Sequence, residues 1–214
     1  MQKGTTFTFE KSNSAIPFLT ISEKVTKHAT IFSLGEGTSI TKESYPVDCL
    51  LIGLGSGDGF LEKENRDLAL HFGGAYLSTA NELLGKKAKK DPFLYFEWRL
   101  EKENFMNPLI KKGEVFALKN LLPYQQGKVI NLTVADTPSA QLAVLSLGEG
   151  CELAPHKAPG EALLIILDGE GVIFYEGFDH PVKAGDSFCF AKGGLHGVKA
   201  TTDFKFALFL EKGN

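Results

Sequence analysis

Three side chains in the second half of the chain are the ones best suited to chemistry: His156, Glu161 and His196. Neutral imidazole nitrogen and carboxylate oxygen are donors that hold divalent first-row metals, and two histidines with one carboxylate can form a triad that leaves coordination positions open. A metal held that way can polarise a substrate oxygen or present a bound small molecule. The elements that must position these residues are short strands. A glycine turn at Gly148 to Gly150 precedes His156, and Glu161 leads into the apolar run 162–167, which stops at Asp168-Gly169, a hairpin signal. From Gly185 to His196 a second strand and a glycine-rich turn deliver the second histidine.

Alternate side chains of a strand share a face, so an inward Glu161 would carry Leu163, Ile165 and Leu167 into the same interior. Phe188 and Phe190, and then Phe204, Phe206 and Leu208, make further apolar faces that read as core. His28, His71 and His180 match no pattern and read as loop or hydrogen-bonded histidines. Cys151 reads as an inert thiol, with nothing basic fixed beside it in sequence. Glu97, Trp98 and Arg99 put polar groups into an otherwise apolar strand, a faint sign that the first half of the chain binds something.

Composition is that of a soluble globular protein, with 214 residues, 43% hydrophobic and 23% charged. A net charge of -3 and a pI near 6.0 exclude a general electrostatic attraction to nucleic acid or anionic membranes. The one basic cluster, Lys86 to Lys90, reads as a solvated loop. Three cysteines without metal-type spacing fit a reducing compartment. With no signal-peptide core or membrane-length apolar run, the expected location is cytoplasmic.

The chain also repeats itself. Residues 33–54 align without a gap on 146–167 at an offset of 113, and ten of the 22 pairs are identical, against about one or two by chance. Leu100-Glu-Lys-Glu-Asn104 answers Leu210-Glu-Lys-Gly-Asn214 at an offset of 110. Two domains follow, 1–107 and 108–214. Short segments rich in Phe, Val, Ile, Leu and Thr recur in both, among them 5–10, 28–34, 48–54, 93–100, 128–134, 141–147 and 204–210, which predicts an all-β fold. Only 78–90 and 106–112 are candidates for helix. In the first domain Glu43, Tyr45 and Asp48 stand opposite His156, Ala158 and Glu161, with Gly85 opposite His196, so no metal is expected there.

Gly150, His156, Glu161 and Gly169, then Gly185, Gly193 and His196, resemble the two motifs of the cupin superfamily, Gly-x5-His-x-His-x2-4-Glu with its hairpin glycine and Gly-x5-Pro-x-Gly-x2-His. The second histidine of the first motif is Ala158 here and the proline of the second is Ala191. The resemblance implies two tandem jelly-roll barrels, a bicupin with a degenerate N-terminal copy. It also implies one divalent first-row transition metal (Fe, Mn, Ni, Co or Zn) on His156, Glu161 and His196. Two functions stay open: a metal-dependent enzyme, dioxygenase- or isomerase-like, acting on a small polar molecule at the C-terminal barrel, or a non-catalytic small-ligand binder with a structural or vestigial metal site. The expected partner is a small molecule, with the protein a monomer or homodimer and neither nucleic acid nor membrane involved.

Overall fold

In a computed structural model, residues 3–213 are described, and they form an almost wholly β protein. The strands of the first half are β1 (Thr6–Phe7), β2 (Thr20–Lys24), β3 (Ala29–Leu34), β4 (Ser39–Glu43), β5 (Cys49–Gly53), β6 (Gly59–Glu62), β7 (Asp67–Leu70), β8 (Gly74–Leu77), β9 (Leu84–Ala88) and β10 (Phe93–Arg99). There follow β11 (Phe105–Met106), β12 (Val115–Ala117), β13 (Val129–Asp136), β14 (Ala140–Leu147), β15 (Glu152–Lys157), β16 (Ala162–Asp168), β17 (Glu170–Tyr175), β18 (Phe178–Lys183), β19 (Ser187–Phe190), β20 (Leu195–Ala200) and β21 (Phe204–Glu211). Among the described residues, helix is confined to one turn at Phe9–Ser12 and a 3-10 turn at Leu118–Asn120.

Two compact units divide the chain. One holds residues 9–102 and 108–117, the other residues 1–8, 103–107 and 118–214. Each is a two-sheet sandwich closed around its own core. The N-terminal barrel has a six-stranded sheet in the order β12-β8-β5-β10-β3-β2 and a four-stranded sheet β4-β9-β6-β7. The C-terminal barrel repeats that order as β1-β19-β16-β21-β14-β13, extended by β11, with β15-β20-β17-β18 as its second sheet. The chain crosses between the units at 8/9, 102/103, 107/108 and 117/118, because each barrel takes an edge strand from the segment leading into the other. β1 pairs with β19, and β12 pairs with β8.

Phenylalanines fill the C-terminal core: Phe188, Phe190, Phe204 and Phe206 pack with Leu164, Ile166, Ile173 and Val198. Tyr76, Phe93 and Tyr95 do the same in the N-terminal barrel with Leu51, Leu61 and Leu70. Three expectations need correction. Residues 5–10 form only the two-residue strand β1 before the chain turns into helix. Neither helix candidate is helical, since Leu84–Ala88 and Phe105–Met106 are strands. The basic cluster is no solvated loop either: Lys86 and Ala88 alternate with Lys87, so the strand buries Lys86 to 1% exposure.

Candidate functional site

The C-terminal barrel brings His156 and His196 together. They are directly opposed residues of the antiparallel pair β15 and β20, with ring centroids 4.3 Å apart. A register shift between Leu153 and His156 sets that pairing, the effect of an extra residue that re-aims the strand. On the other side, the turn before β20 packs on Tyr175, because a Cβ at Gly194 would come within 2.9 Å of the tyrosine ring. His196 is 8% exposed and stacks on Phe190 at 4.1 Å, and Phe190 in turn stacks on Tyr175 at 5.6 Å.

The tautomers follow from the partners. His156 Nδ1 lies 2.9 Å from the Ala154 carbonyl and His196 Nδ1 lies 3.2 Å from the Gly194 carbonyl. A carbonyl only accepts, so each Nδ1 carries a proton, and in the neutral ring Nε2 is the atom that keeps a lone pair. Burial, aided by the neighbouring His156, lowers the pKa of His196 against the opposing pull of the Gly194 carbonyl. Wherever the rings are unprotonated at Nε2, the pair offers two adjacent Nε2 lone pairs at the barrel mouth.

Glu161 does not join them. It is exposed and forms an ion pair with Lys3. The register of β16 explains why: Ala162, Leu164 and Ile166 belong to the interior cluster, so the inward set is the even-numbered one and Glu161 shares the outer face with Leu163 and Ile165. Asp48, its counterpart in the N-terminal barrel, behaves alike and pairs with Lys112 at 2.5 Å. Lys3 and Lys112 each stand three residues before an edge strand, β1 and β12. In both barrels, therefore, this carboxylate tethers the segment leading into that edge strand.

Ala158 and Ala162 occupy the interior beside the histidines. Among the described residues no three His, Cys, Asp or Glu side chains lie close enough together to hold a metal ion. A dedicated first-row site needs at least a third protein donor. As arranged, the residues do not complete one. Of the other cysteines and histidines, Cys49 is buried, which pushes its thiol up to about 12. His180 packs on Phe188, and His71 pairs with Asp58.

The N-terminal barrel holds charge where the C-terminal one holds histidine and hydrocarbon. Glu43 pairs with Leu84 as His156 pairs with His196, so Leu84, and not Gly85, takes the second histidine's place. Arg99 pairs with Cys49 as Leu210 pairs with Ala162, which aligns Glu97 and Arg99 with Leu208 and Leu210 and changes the offset at this strand from 110 to 111. Lys86 and Glu97 are both 2% exposed at the side chain and lie 3.3 Å apart. Lys86 also reaches Glu43 at 2.8 Å. Arg99 Nε lies 3.3 Å from Glu97, Arg99 Nη2 donates to the Tyr45 hydroxyl at 2.8 Å, and the guanidinium stacks 3.8 Å over the Tyr45 ring. Sequence reading flagged Glu97 and Arg99 but missed Lys86, whose alternation with Lys87 was the available signal.

Comparison with known proteins agrees with this architecture. The family model described as "Cupin domain" matches residues 143–210. A cupin 2 conserved barrel domain protein from Leptotrichia buccalis is similar over 99% of this chain and 98% of its own, at 25% identity and a TM-score of 0.81. Salicylate 1,2-dioxygenase from Pseudoaminobacter salicylatoxidans shares the fold at 10% identity over 90% of this chain and 73% of its own, with a TM-score of 0.62. AerE from Microcystis aeruginosa does so at 15% identity over 90% and 97%, with a TM-score of 0.51. No curated protein matches the sequence. Among the described residues no helix is long and apolar enough to cross a membrane. The second barrel thus matches the cupin domain, and the chain over its whole length has the tandem jelly-roll fold of its Leptotrichia buccalis counterpart.

Proposed function

We propose that this protein is a non-catalytic small-ligand-binding cupin whose C-terminal metal site is vestigial. One observation carries the reading: Glu161 is used as Asp48 is, to hold the segment before an exchanged edge strand, while Ala158 and Ala162 fill the inward positions where further donors would stand. What remains at the mouth is a pair of imidazoles whose Nδ1 atoms are engaged, leaving Nε2 for a ligand, backed by the Phe190 and Tyr175 rings. Such a surface suits a small polar molecule that donates hydrogen bonds to Nε2 and lays an apolar face on the rings. The reading keeps the descent of both barrels from one duplicated unit and a cytoplasmic location.

A second reading, the metal-dependent enzyme, has its own support. Nδ1–H bonds to carbonyls are the arrangement that orients metal-binding histidines, and both rings have it. Metal content of the purified full chain separates the two. The binding reading expects substoichiometric metal that is unchanged by His156→Ala with His196→Ala, and a small polar ligand whose binding that double variant abolishes. One equivalent of a first-row metal, lost in the double variant and in Glu161→Gln, would refute it and favour the enzyme.

A further inference from the structure

The N-terminal barrel carries an ion cluster separate from the histidine pair, and its composition specifies an occupant. Two cations, Lys86 and Arg99, are interleaved with two anions, Glu43 and Glu97. The inner members, Lys86 and Glu97, are sealed and answer each other. The outer members reach the surface: side-chain exposure is 44% for Arg99 and 39% for Glu43. Beside them lies Tyr45, whose hydroxyl accepts from Arg99 Nη2 at 2.8 Å and whose phenol lines one cavity with Glu43. A cation and an anion thus reach the surface beside one phenol, linked beneath by the buried Lys86–Glu97 pair.

Both outer groups keep binding capacity. A guanidinium has five N–H donors, of which Arg99 engages one with Glu97 and one with Tyr45. Glu43 accepts from Lys86 at Oε1, and a carboxylate has about four lone-pair sites. Stacking on Tyr45 and the Glu97 contact hold the guanidinium in place before any ligand arrives. Charge balance then selects among ligands. The cluster sums to zero, so a lone anion or a lone cation would bring an uncompensated charge to a partly desolvated mouth, which is costly. A neutral but dipolar ligand with matched ends would not.

We propose that the mouth of the N-terminal barrel binds a small zwitterion of the α-amino-acid class, its carboxylate on Arg99 and its ammonium on Glu43, over Tyr45. Nothing in the cluster contacts the ligand beyond its two charged ends, so the site reads the backbone of an amino acid more than its side chain. The cavity behind, lined by Cys49, Ser78 and Thr79 among others, is narrow and leaves the ligand at the rim.

The test uses the full-length 15N-labelled protein and L-alanine as probe, following the Arg99 Nε–H resonance, with acetate and methylammonium as the two half-ligands. L-Alanine should shift the resonance saturably, and each half-ligand should bind at least about tenfold more weakly. Glu43→Gln and Arg99→Lys, followed through backbone amides around Tyr45, should each weaken alanine binding by about tenfold or more, while His156→Ala leaves it unchanged. Arg99→Lys keeps the charge and loses only the fork, so it guards against simple unfolding. Acetate binding as tightly as alanine, or no saturable shift up to roughly 100 mM, would overturn the proposal.

Discussion

Removing the ammonium of Lys86 should unbalance the deepest charges in the N-terminal barrel. Its side chain is 2% exposed and lies 2.8 Å from Glu43 and 3.3 Å from Glu97, which is itself 2% exposed. Lys86→Met keeps the length and loses the charge, leaving Glu97 with Arg99 alone at 3.3 Å. Breaking a buried pair from one side costs about 3–5 kcal/mol, and because Arg99 stays, about 3 kcal/mol is expected. That is a large part of a domain stability of about 5–15 kcal/mol. Lys86→Met combined with Glu97→Leu removes both charges, as the C-terminal barrel does with Val198 and Leu208 at these positions. Replacing a buried ion pair by hydrocarbon is neutral to stabilising by about 1–4 kcal/mol, so the double variant should regain most of the loss. Trp98, the only tryptophan, is fully buried on β10 and makes fluorescence in urea a reporter of this barrel. A single variant costing under about 1 kcal/mol, or a double variant no more stable than the single, would refute the reasoning.

Acid should act on the same barrel. Burial raises Glu43, but Lys86 and Tyr45 outweigh it, and Lys63 and Tyr76 do likewise for half-buried Glu82, so both carboxyls sit below their ordinary values. Their folded forms bind fewer protons than the unfolded chain, so this stability is present above pH about 4.3 and is lost as pH falls through the folded pKa values. The urea midpoint read by Trp98 should therefore drop below that pH, and Glu43→Gln should flatten the drop; an unchanged slope would count against the assignment. In the other barrel, Gly169 has φ +76 and a Cβ there would meet the Asp203 carbonyl oxygen at 1.9 Å. Gly169→Ala should cost about 1–3 kcal/mol from the backbone conformation alone, with the clash in addition, and a melting temperature within error of the parent would contradict the hairpin geometry.

Much of the architecture was legible because it depends on local chemistry. Alternating apolar residues, Asp-Gly and Gly-Gly corners, and two segments matching at ten of 22 positions are properties of the chain as written, and they determined the all-β class, the two barrels and the cupin resemblance. His156 and His196 were legible as a pair because both follow glycine-rich turns, and the strands bring them opposite each other. Facing was not legible. A strand shifted by one residue turns every side chain to the other side, and register is set by partner strands far away in sequence. Only the pairing of β16 with β19 and β21 decided that Ala162 points in and Glu161 points out toward Lys3. For the same reason the run from Lys86 to Lys90 could be read as a solvated loop, although the pairing of β9 with β4 and β6 sends Lys86 inward to Glu43 and Glu97. Residue types and their spacing thus belong to the sequence, whereas which of them share an interior belongs to the tertiary structure, because long-range strand register decides the face and burial then decides which charges must be paired.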